Sequence, residues 1–446
     1  MSDGATILLA RQIFETPFLV SPDGSARPCL FSDPLVEDPE SGGTRFSGRV
    51  RPDARFSDGT LVTPADMVAA LAGDPVFRTR GTATLRDDLI QINLFAPDTR
   101  FDLFLTMCGF LVREDQGLQG TGPYMLESAA TGVVRLVRNP HARTTAPIES
   151  LEVRAYPADP ETGRPTALLA ALEKGEVDLA PRLSWRDVHT LRNTAVVLKP
   201  VSSTCILYLN NERLSDPRQR AALALALDRT EIAERAFGDN PLAFRATGLL
   251  PPALGKTLDR LSPDVERARV EWRDVAKSSE PLTIVYSPGA RPYLPAPAAV
   301  ARLVRDRLRR IGATVETVEL PPAQLSLRLN AGSFDLALMG NIPDSPDPAD
   351  YLAAVVGSDA VPENVRGTFF AFNFSRYRSR EVDDLIAAYR KERREETLGE
   401  IGVLLGRDVP LIPLMYGRAC VAHSWRLRGF KPTVTGLIDL SVLTLS

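Results

Sequence analysis

An alternation of strand and helix patterns between residues 282 and 339 constrains the fold more than any other feature of the sequence. Short apolar runs typical of buried strands alternate with segments whose apolar residues recur at helical spacing, and a glycine follows each helical segment where a C-terminal cap is expected. The order is strand, helix, strand, helix, strand: Leu282–Tyr286, Ala298–Ile311, Thr314–Leu320, Leu325–Leu329 and Phe334–Met339. This pattern predicts a parallel sheet with right-handed crossover connections.

A second region of the same character lies earlier in the chain. It contains a strand pattern at Leu151–Tyr156, a helix pattern at Pro165–Lys174 and a strand pattern at Val177–Ala180. Between the two regions, Asp216–Phe237 begins with an aspartate followed by proline, which predicts a single capped helix. Two α/β regions predict two lobes, and a cleft between lobes is a favoured place for a ligand pocket.

The balance of charges argues against nucleic-acid binding. The chain has 53 Lys and Arg against 56 Asp and Glu, a formal net charge of −3, so it has no excess of basic charge to neutralise a phosphate backbone. The longest strongly apolar stretch, Leu103–Val112, is shorter than the roughly 20 residues that a membrane helix needs. No basic leader precedes the brief apolar run before Arg11, so the sequence as given predicts a soluble chain without a secretory signal peptide.

The sequence also lacks the common motifs of catalytic and cofactor sites. It contains no G-x-S-x-G elbow, no phosphate-binding glycine loop and no H-E-x-x-H helix, so we predict a protein that is not an enzyme and has no cofactor. The histidines are too widely separated to predict a metal site: His141, His189 and His423. The cysteines form no C-x-x-C pair, and their spacing leaves a disulfide open: Cys29, Cys108, Cys205 and Cys420.

Two loops are candidates for the ligand site, because open parallel sheets bind ligands beyond the carboxyl ends of their strands. One is Ser287–Leu294, and the other is Gly340–Asp350. Arg291 lies in the first loop, where its planar guanidinium suits a ligand carboxylate or phosphate, with a structural salt bridge as the alternative. In the second loop, Asp347 and Asp350 are interpreted as residues of a turn rich in aspartate and proline.

Several motifs resemble one family of proteins. The run Phe56–Val68 resembles the F-S-D-G-x-x-x-T-A-x-D-V motif of the peptide/nickel type, family 5, of bacterial extracellular solute-binding proteins, which are the receptors of ATP-driven importers. As a folding element it predicts a turn at Asp58-Gly59 and a helix cap at Thr63–Asp66. Further segments similar to the family follow in the expected order: Gly120–Tyr124, Arg138–Pro140, Gly175–Asp178, Asp216–Arg229, Gly332–Asp335 and Asp344–Pro348.

The resemblance implies an α/β protein with a two-lobed, periplasmic-binding-protein-like fold and a short inserted subdomain in the first lobe. Carried over to this chain, the first lobe comprises residues 1–45, 119–204 and 426–446. The small subdomain comprises residues 46–118, and the second lobe comprises residues 205–425.

The resemblance also implies a ligand site. In peptide-binding members the loop after the last strand has the pattern G-W-x-x-D, and its aspartate holds the ligand's α-ammonium group. Here the loop is Gly340-Asn-Ile-Pro-Asp344, so Asp344 keeps the charge while Asn341 replaces the aromatic wall. We predict that Asp344 pairs with a cationic group, that Asn341 donates or accepts a hydrogen bond beside it, and that Arg291 faces an anionic group. Two residues that end a strand near the expected hinge are predicted to contribute as well: Tyr208 and Asn210.

The function implied is capture of a small amine-containing or peptide-like ligand in the cleft between the lobes, for uptake by an ABC transporter. The expected partners are that ligand and the transporter permease, with no nucleic acid, with membrane contact through the permease alone, and with the chain as a monomer. Two alternatives are a cytoplasmic ligand-sensing effector and a biosynthetic protein that uses the same fold. The compartment is periplasmic or cell-surface if a signal peptide was removed or missed, and cytoplasmic otherwise.

One element of the family pattern has no counterpart in the sequence. Family members have an export signal and an opening strand before the helix that corresponds to Ala5–Phe14. A missing central strand would leave backbone groups unpaired. We therefore predict that the C-terminal run Gly436–Leu445, which has strand character, fills the position, or else that the first-lobe sheet has one strand fewer and a polar edge.

Overall fold

The computed structural model describes residues 4–21, 23–113, 118–157, 159, 164–198, 203–237, 244–257, 262–275, 280–343, 345–362, 371–417, 420–430 and 438–446. Within these ranges no helix is both long enough and apolar enough to cross a membrane.

Helices and strands alternate along much of the chain, as the sequence predicts for the α/β class. The helices are α1 (Gly4–Ile13), α2 (Pro64–Gly73), α3 (Phe101–Phe104), α4 (Thr166–Glu173), α5 (Trp185–Val188), α6 (Pro217–Leu225), α7 (Arg229–Phe237), α8 (Val265–Val275), α9 (Pro297–Arg310), α10 (Pro322–Ala331), α11 (Pro348–Val356), α12 (Arg380–Glu392) and α13 (Glu395–Asp408). The strands are β1 (Phe18–Val20), β2 (Ala26–Pro28), β3 (Val36–Glu37), β4 (Arg45–Gly48), β5 (Gly81–Arg86), β6 (Leu89–Leu94), β7 (Tyr124–Ala130), β8 (Val133–Arg138), β9 (Ser150–Arg154), β10 (Leu179–Leu183), β11 (Ala195–Leu198), β12 (Ser203–Leu209), β13 (Phe244–Arg245), β14 (Leu282–Tyr286), β15 (Val315–Glu319), β16 (Leu336–Asn341), β17 (Leu411–Gly417), β18 (Cys420–His423), β19 (Leu427–Arg428) and β20 (Thr444–Leu445).

A six-stranded sheet with the order β13-β17-β12-β16-β14-β15 forms the centre of the second lobe. Strand β14 pairs in parallel with both β15 and β16, and helices α9 and α10 connect the three strands. The predicted strand–helix alternation is therefore confirmed. The other pairings, of β12 with β16 and β17 and of β13 with β17, are antiparallel, so the sheet as a whole is mixed.

Strand β12 separates two cores. All seven of its residues are buried, because the sheet is covered on both faces. Successive side chains of a strand point to opposite faces, so Cys205, Leu207 and Leu209 join the core that contains residues of α6 to α9. Ile206 and Tyr208 join the other core, which contains residues of α11, α12 and α13.

The small subdomain is built on an antiparallel sheet with the order β3-β4-β6-β5. Helix α2 packs on it and begins with the predicted capping box, in which Thr63 and Asp66 satisfy each other's backbone amides. Its aromatic core also includes Phe18, Leu30 and Phe31, which precede the predicted boundary at residue 46. The division into lobes itself stays a prediction.

The described strands of the first lobe include two three-stranded sheets. Strands β10, β18 and β11 form one antiparallel sheet, and β7, β8 and β9 form an antiparallel meander. The prediction of an earlier parallel β-α-β unit is wrong, because β9 pairs with β8 while β10 pairs with β18 in a different sheet. The chain passes between this lobe and the six-stranded sheet twice, after β11 and after β17.

The predicted single helix at Asp216–Phe237 is two helices, α6 and α7. Asp216 caps α6 through its carboxylate, which accepts a hydrogen bond of 2.9 Å from the amide of Arg218. Asp228 caps α7 in the same way, with a bond of 2.8 Å from the amide of Thr230. The second aspartate begins a new helix, because its side chain takes the amide that would otherwise continue the first one.

The first of the two alternatives for the missing strand is wrong for residues 438–446, because the C-terminal tail does not fill a strand position in the first-lobe sheet; Gly436 and Leu437 lie outside the described residues. Strand β20 pairs with β19 instead. The second alternative, a first-lobe sheet with one strand fewer and a polar edge, stays a prediction. Asp439 accepts a hydrogen bond of 2.9 Å from the amide of Ser441, and the short 3-10 turn that follows interrupts the extended run. The tail packs through its apolar side chains, against Val421 and Leu427: Ile438, Leu440 and Leu443.

Candidate cavity between the small subdomain and the second lobe

A cavity of about 290 Å³ lies between the small subdomain and the second lobe. The small subdomain contributes residues from two short segments: Pro75, Val76, Thr79, Arg80, Phe104 and Met107. The second lobe contributes the end of β16 and parts of α11, α12 and the intervening segments: Asn341, Ile342, Pro343, Ser345, Asp350, Tyr351, Ala353, Ala354, Asp359, Ala360, Ala371, Phe372 and Arg390. The cavity therefore borders the second predicted ligand loop.

Asp74 holds the two segments of the small subdomain in place. One of its carboxylate oxygens accepts hydrogen bonds of 2.8 and 3.1 Å from the amides of Val76 and Phe77. The other accepts a bond of 2.7 Å from the amide of Gly109. A single side chain thus ties the turn after α2 to the segment that carries Met107.

The second-lobe wall depends on a close approach at the end of β16. A Cβ atom on Gly340 would lie 2.4 Å from the ring of Tyr293 and 2.5 Å from the carbonyl oxygen of Thr204. Glycine is therefore required for the loop after β14 to pack against β16. Asn341 follows, and lines the cavity from the last position of the strand.

An ion network of six charged side chains lies beside the cavity: Arg80, Asp98, Asp347, Asp350, Arg390 and Arg393. Arg80 joins the small subdomain to the second lobe, because its two terminal nitrogens lie 2.6 Å from Asp98 and 3.1 Å from Asp350. Arg390 of α12 approaches the same oxygen of Asp350 to 3.2 Å. The guanidinium of Arg80 also lies over the ring of Phe104, 4.6 Å from its centroid.

Arg393 makes a second connection across the same interface. It pairs with Asp98 of the small subdomain, and its other terminal nitrogen lies 2.8 and 2.9 Å from the two oxygens of Asp347. Its backbone has a left-handed φ of 55° at the end of α12, a conformation that costs about 1–3 kcal/mol and that directs the side chain into the network. Thr99 adds hydrogen bonds of 3.1 and 3.2 Å from its amide and hydroxyl to the carbonyl oxygen of Arg390.

The network consists of three arginines and three aspartates, so its formal charges cancel. Burial alone would raise the pKa of Asp350, but the guanidinium groups of Arg80 and Arg390 lower it below its usual value. Burial and the nearby Asp350 carboxylate raise the pKa of Asp347 to about 6, against the opposing effect of Arg393. The pKa of Arg390 is lowered by burial and by the positive charge of Arg80. The guanidinium and carboxylate groups of the network therefore offset one another's burial.

Of the site residues predicted in the two ligand loops, one lines the cavity wall. Asn341 lines the cavity, while Asp344 lies outside the described residues. Arg291 is exposed in the loop after β14 and is not part of the cavity wall; one of its terminal nitrogens donates a bond of 3.1 Å to the carbonyl oxygen of Ala290.

The structure places Tyr208 and Asn210 in the interior of the second lobe, away from the cavity wall. Tyr208 is 1% exposed and packs against Phe374 with ring centroids 5.5 Å apart. The side-chain amide of Asn210 donates bonds of 2.9 Å to the carbonyl oxygens of Gly332 and Phe334. The alternation along β12 directs Tyr208 into a core, and a loop backbone uses the side-chain amide of Asn210, while a ligand contact of either residue stays a prediction.

The sequence motifs did not indicate three arginines of the network: Arg80, Arg390 and Arg393. Each of these arginines lies among polar residues in the sequence, and nothing near it indicates that its side chain is buried. The sequence therefore could not predict that the three side chains meet the same group of aspartates. One signal was present: Asp347 and Asp350 are three residues apart at the start of a helix, which places both carboxylates on one face. Asp347 is interpreted from the sequence as a turn residue, and it does lie in the turn that begins α11. Its carboxylate caps this helix by accepting a hydrogen bond of 2.8 Å from the amide of Ala349.

Metal and thiol chemistry receive no support from the geometry. In the described part of the chain, no three His, Cys, Asp or Glu side chains are grouped so that they could hold a metal ion. All four cysteines are buried and free, which answers the disulfide question left open by their spacing. Burial raises the pKa of each thiol, that of Cys420 to about 12.

Comparison with known proteins identifies the family. A family model described as "Bacterial extracellular solute-binding proteins, family 5 Middle" matches residues 34–362, well over half of the chain. The chain belongs to this family. The resemblance of Phe56–Val68 and the later segments is thereby confirmed.

Curated proteins similar to this chain include peptide-binding proteins. The chain is 26% identical to a probable di/tripeptide-binding protein of Pseudomonas aeruginosa over 335 residues, which are 72% of this chain and 61% of the relative. It is 26% identical to a probable D,D-dipeptide-binding periplasmic protein of Escherichia coli over 288 residues, 62% of this chain and 52% of the relative. The chain thus covers less than two thirds of the length of these relatives.

Solved structures show the fold. A dipeptide-binding protein of Pseudoalteromonas in complex with Met-Leu superimposes with a TM-score of 0.85 at 18% identity, over 100% of this chain and 96% of that one. The periplasmic binding protein DppA of Helicobacter pylori, in complex with the peptide STSA, gives a TM-score of 0.83 at 17% identity. The superposition covers 100% of this chain and 94% of DppA. A binding protein of Agrobacterium in complex with agropinic acid gives a TM-score of 0.79 at 18% identity. The superposition covers 99% of this chain and 94% of that protein. The two-lobed, periplasmic-binding-protein-like fold is therefore confirmed.

Proposed function

We propose that this family 5 protein is the solute receptor of an ABC importer, and that it encloses a small amine-containing or peptide-like ligand between its lobes. The observation that carries the proposal is the cavity at the carboxyl end of β16, because this is where a ligand loop is expected on physical grounds. The names of two curated relatives, a probable di/tripeptide-binding protein and a probable D,D-dipeptide-binding protein, support the same class of ligand.

The cationic group of the ligand is proposed to bind Asp344. The residues on either side of it in the sequence, Pro343 and Ser345, both line the cavity, and Asn341 offers a polar side chain from the same loop. Arg291 is proposed as the partner of an anionic group. Its loop packs on the backbone of Gly340 through Tyr293, which brings the loop close to Asn341.

Ligand capture is proposed to close the cleft by a hinge motion. The chain connects the two large lobes at two points, after β11 and after β17, and two short connections suit rotation of one lobe against the other. The ligand stabilises the closed state because it contacts both walls there and one wall in the open state.

This role requires binding and release rather than catalysis. It implies a permease as the protein partner, a location on the outer side of the cytoplasmic membrane, and action as a monomer without a cofactor or nucleic acid. These features form part of the proposal.

A ligand screen by thermal unfolding tests the proposed function. Dipeptides, opines and polyamines are the classes to offer, each at millimolar concentration. A ligand present at 100 times its dissociation constant stabilises the folded protein by about 2.7 kcal/mol, which raises the unfolding temperature measurably. A well-folded protein that responds to none of these classes would contradict the proposal.

The site is tested with Asp344→Asn. Loss of a charge-assisted hydrogen bond of about 1.5–3 kcal/mol is expected to weaken binding of an amine ligand at least about tenfold by calorimetry. The control is Asp384→Asn, because Asp384 is exposed on α12 and its side chain is 74% exposed. Equal affinities for the two variants would place the cationic subsite elsewhere. Arg291→Ala should weaken binding for ligands with a carboxylate and leave uncharged-end analogues unchanged.

A further inference from the structure

Asp347 is a buried carboxylate at the interface between the small subdomain and the second lobe. Its side chain is 1% exposed, and it caps α11 through its bond to the amide of Ala349. Its two oxygens lie 2.8 and 2.9 Å from one nitrogen of Arg393, whose other terminal nitrogen pairs with Asp98 of the small subdomain. Asp347 has therefore exchanged water for one guanidinium group, which it shares with a second carboxylate.

The charged and titratable groups that interact with Asp347 lie on α11, on α12 and on the small subdomain: Asp350; Tyr389, Arg390 and Arg393; Arg80 and Asp98. The compensation among them is partial. Arg80 and Arg390 both contact the Oδ1 atom of Asp350. Among the described residues, the buried Oδ2 atom of Asp350 and the buried Nε atom of Arg390 have no hydrogen-bond partner. Part of the negative charge of Asp350 therefore remains to oppose the ionisation of Asp347.

Opening of the cleft would change the surroundings of Asp347 mainly by admitting water. Arg80 and Asp98 leave with the small subdomain, so one positive and one negative charge depart together. Arg393 and Asp350 stay beside Asp347 on the second lobe. The remaining change is hydration, which stabilises the charged form of a carboxylate. The affinity of Asp347 for a proton is therefore higher in the closed arrangement than in the open one.

The direction of the pKa shift agrees with this geometry. Burial, followed by the nearby Asp350 carboxylate, raises the pKa of Asp347 from its ordinary value of 3.8 to about 6, against the opposing effect of Arg393. Hydration in the open arrangement brings the pKa back toward the ordinary value. A group that binds its proton more tightly in one arrangement favours that arrangement as the pH falls through the higher of its two pKa values.

We propose that closure of the cleft is coupled to the uptake of a proton by Asp347, so that mildly acidic conditions favour the closed arrangement. The proton neutralises the carboxyl group, whose second oxygen still accepts the bond from the amide of Ala349, and Arg393 keeps its pair with Asp98. The inference rests on the proposed hinge closure but on no particular ligand. It adds a dependence on pH to capture and release, because a solute that prefers the closed arrangement is then held more tightly at lower pH.

Small-angle X-ray scattering of the ligand-free protein at pH values from about 7.5 down to about 5 tests the inference. Over this range the ratio of closed to open molecules should rise about tenfold, and the radius of gyration should fall, if Asp347 has a pKa of about 6 when closed and its ordinary value when open. Asp347→Asn cannot take up the proton and should remove this dependence. Asp384→Asn is the matched control and should keep it, because the Asp384 side chain on α12 is 74% exposed. The same dependence in the parent and in Asp347→Asn would overturn the inference.

Carbon-13 NMR of the aspartate carboxyl groups measures the proton directly and keeps the inference testable if Asp347→Asn does not fold. The parent should show one carboxyl that titrates near pH 6, and Asp98→Asn should move this midpoint lower, because it removes a neighbouring negative charge. A parent in which every aspartate titrates below about pH 5 would overturn the inference. A constant radius of the parent together with an expanded Asp98→Asn would overturn the coupling and leave the hinge motion intact, whereas a constant radius in both would count against the proposed closure itself.

Discussion

At the scale of single residues, the surroundings of a glycine decide whether its replacement by alanine lowers or raises the stability of the protein. Gly340 lies at the end of β16, where a Cβ atom would meet both the Tyr293 ring and a backbone oxygen. Gly399 lies within α13, and apart from its neighbours in the helix no described atom lies within 4 Å of the position of a Cβ. The first glycine makes room for a neighbouring loop, whereas the second adds chain entropy to the unfolded state without any packing benefit.

We expect Gly340→Ala to destabilise the protein by about 1–3 kcal/mol, because the loop after β14 must shift to accommodate the methyl group. Gly399→Ala should stabilise it by up to about 1 kcal/mol, since alanine is the better helix residue. Urea unfolding followed by circular dichroism measures both. A Gly340→Ala variant as stable as the parent would show that the loop is not held against β16.

At the scale of elements, two helix caps are expected to contribute different amounts to stability. Thr63 caps α2 at an exposed position through its bond to the amide of Asp66. Asp347 caps α11 and also holds Arg393 with two bonds, while its side chain is 1% exposed. Removal of the first cap leaves one amide to water, but removal of the second leaves a partly buried guanidinium without one of its two partners.

Thr63→Ala is expected to cost about 1 kcal/mol of stability. Asp347→Ala should cost about 3 kcal/mol or more, as breaking one side of a buried ion pair does. Asp347→Asn, which keeps an acceptor for the amide of Ala349, should lie between the two. Chemical denaturation of the three variants under identical conditions provides the comparison, and equal losses for Thr63→Ala and Asp347→Ala would mean that the ion pair contributes nothing.

At the scale of the whole molecule, the ion network and the bonds from Thr99 join the small subdomain to the second lobe beside the proposed ligand cavity. Ion pairs suit such an interface, because water can solvate each charge when the walls separate. An apolar contact of the same area would resist opening more strongly. The network therefore favours the closed arrangement without making it irreversible.

Asp98→Asn removes the carboxylate that both Arg80 and Arg393 contact, so we expect the ligand-free protein to open. Small-angle X-ray scattering should detect a larger radius of gyration than that of the parent, with little change in circular dichroism. Asp53→Asn is the control, because Asp53 belongs to an exposed ion pair of the same subdomain, with 59% of its side chain exposed. An unchanged radius for Asp98→Asn would show that the network does not govern closure.

The sequence alone predicted the local elements well where periodicity and caps agree. The strands and helices from Leu282 to Asn341, the cap at Thr63 and the turn at Gly59 all follow from patterns within about fifteen residues. It also carried enough family-specific motifs to indicate the family. The signals were weaker at Asp228, where one side chain divides a predicted helix.

The tertiary structure decided which strands pair and which charges meet. The pairing of β9 with β8 and of β10 with β18 depends on partners far apart in the chain, for which a strand pattern carries no information. In the same way, Arg80 and Asp350 are separated by 270 residues, and nothing near either one predicts the other. The sequence by itself therefore determined the elements and the family, because these depend on local spacing. The ligand cavity and its ion network arose from packing, because they exist only when distant segments come together.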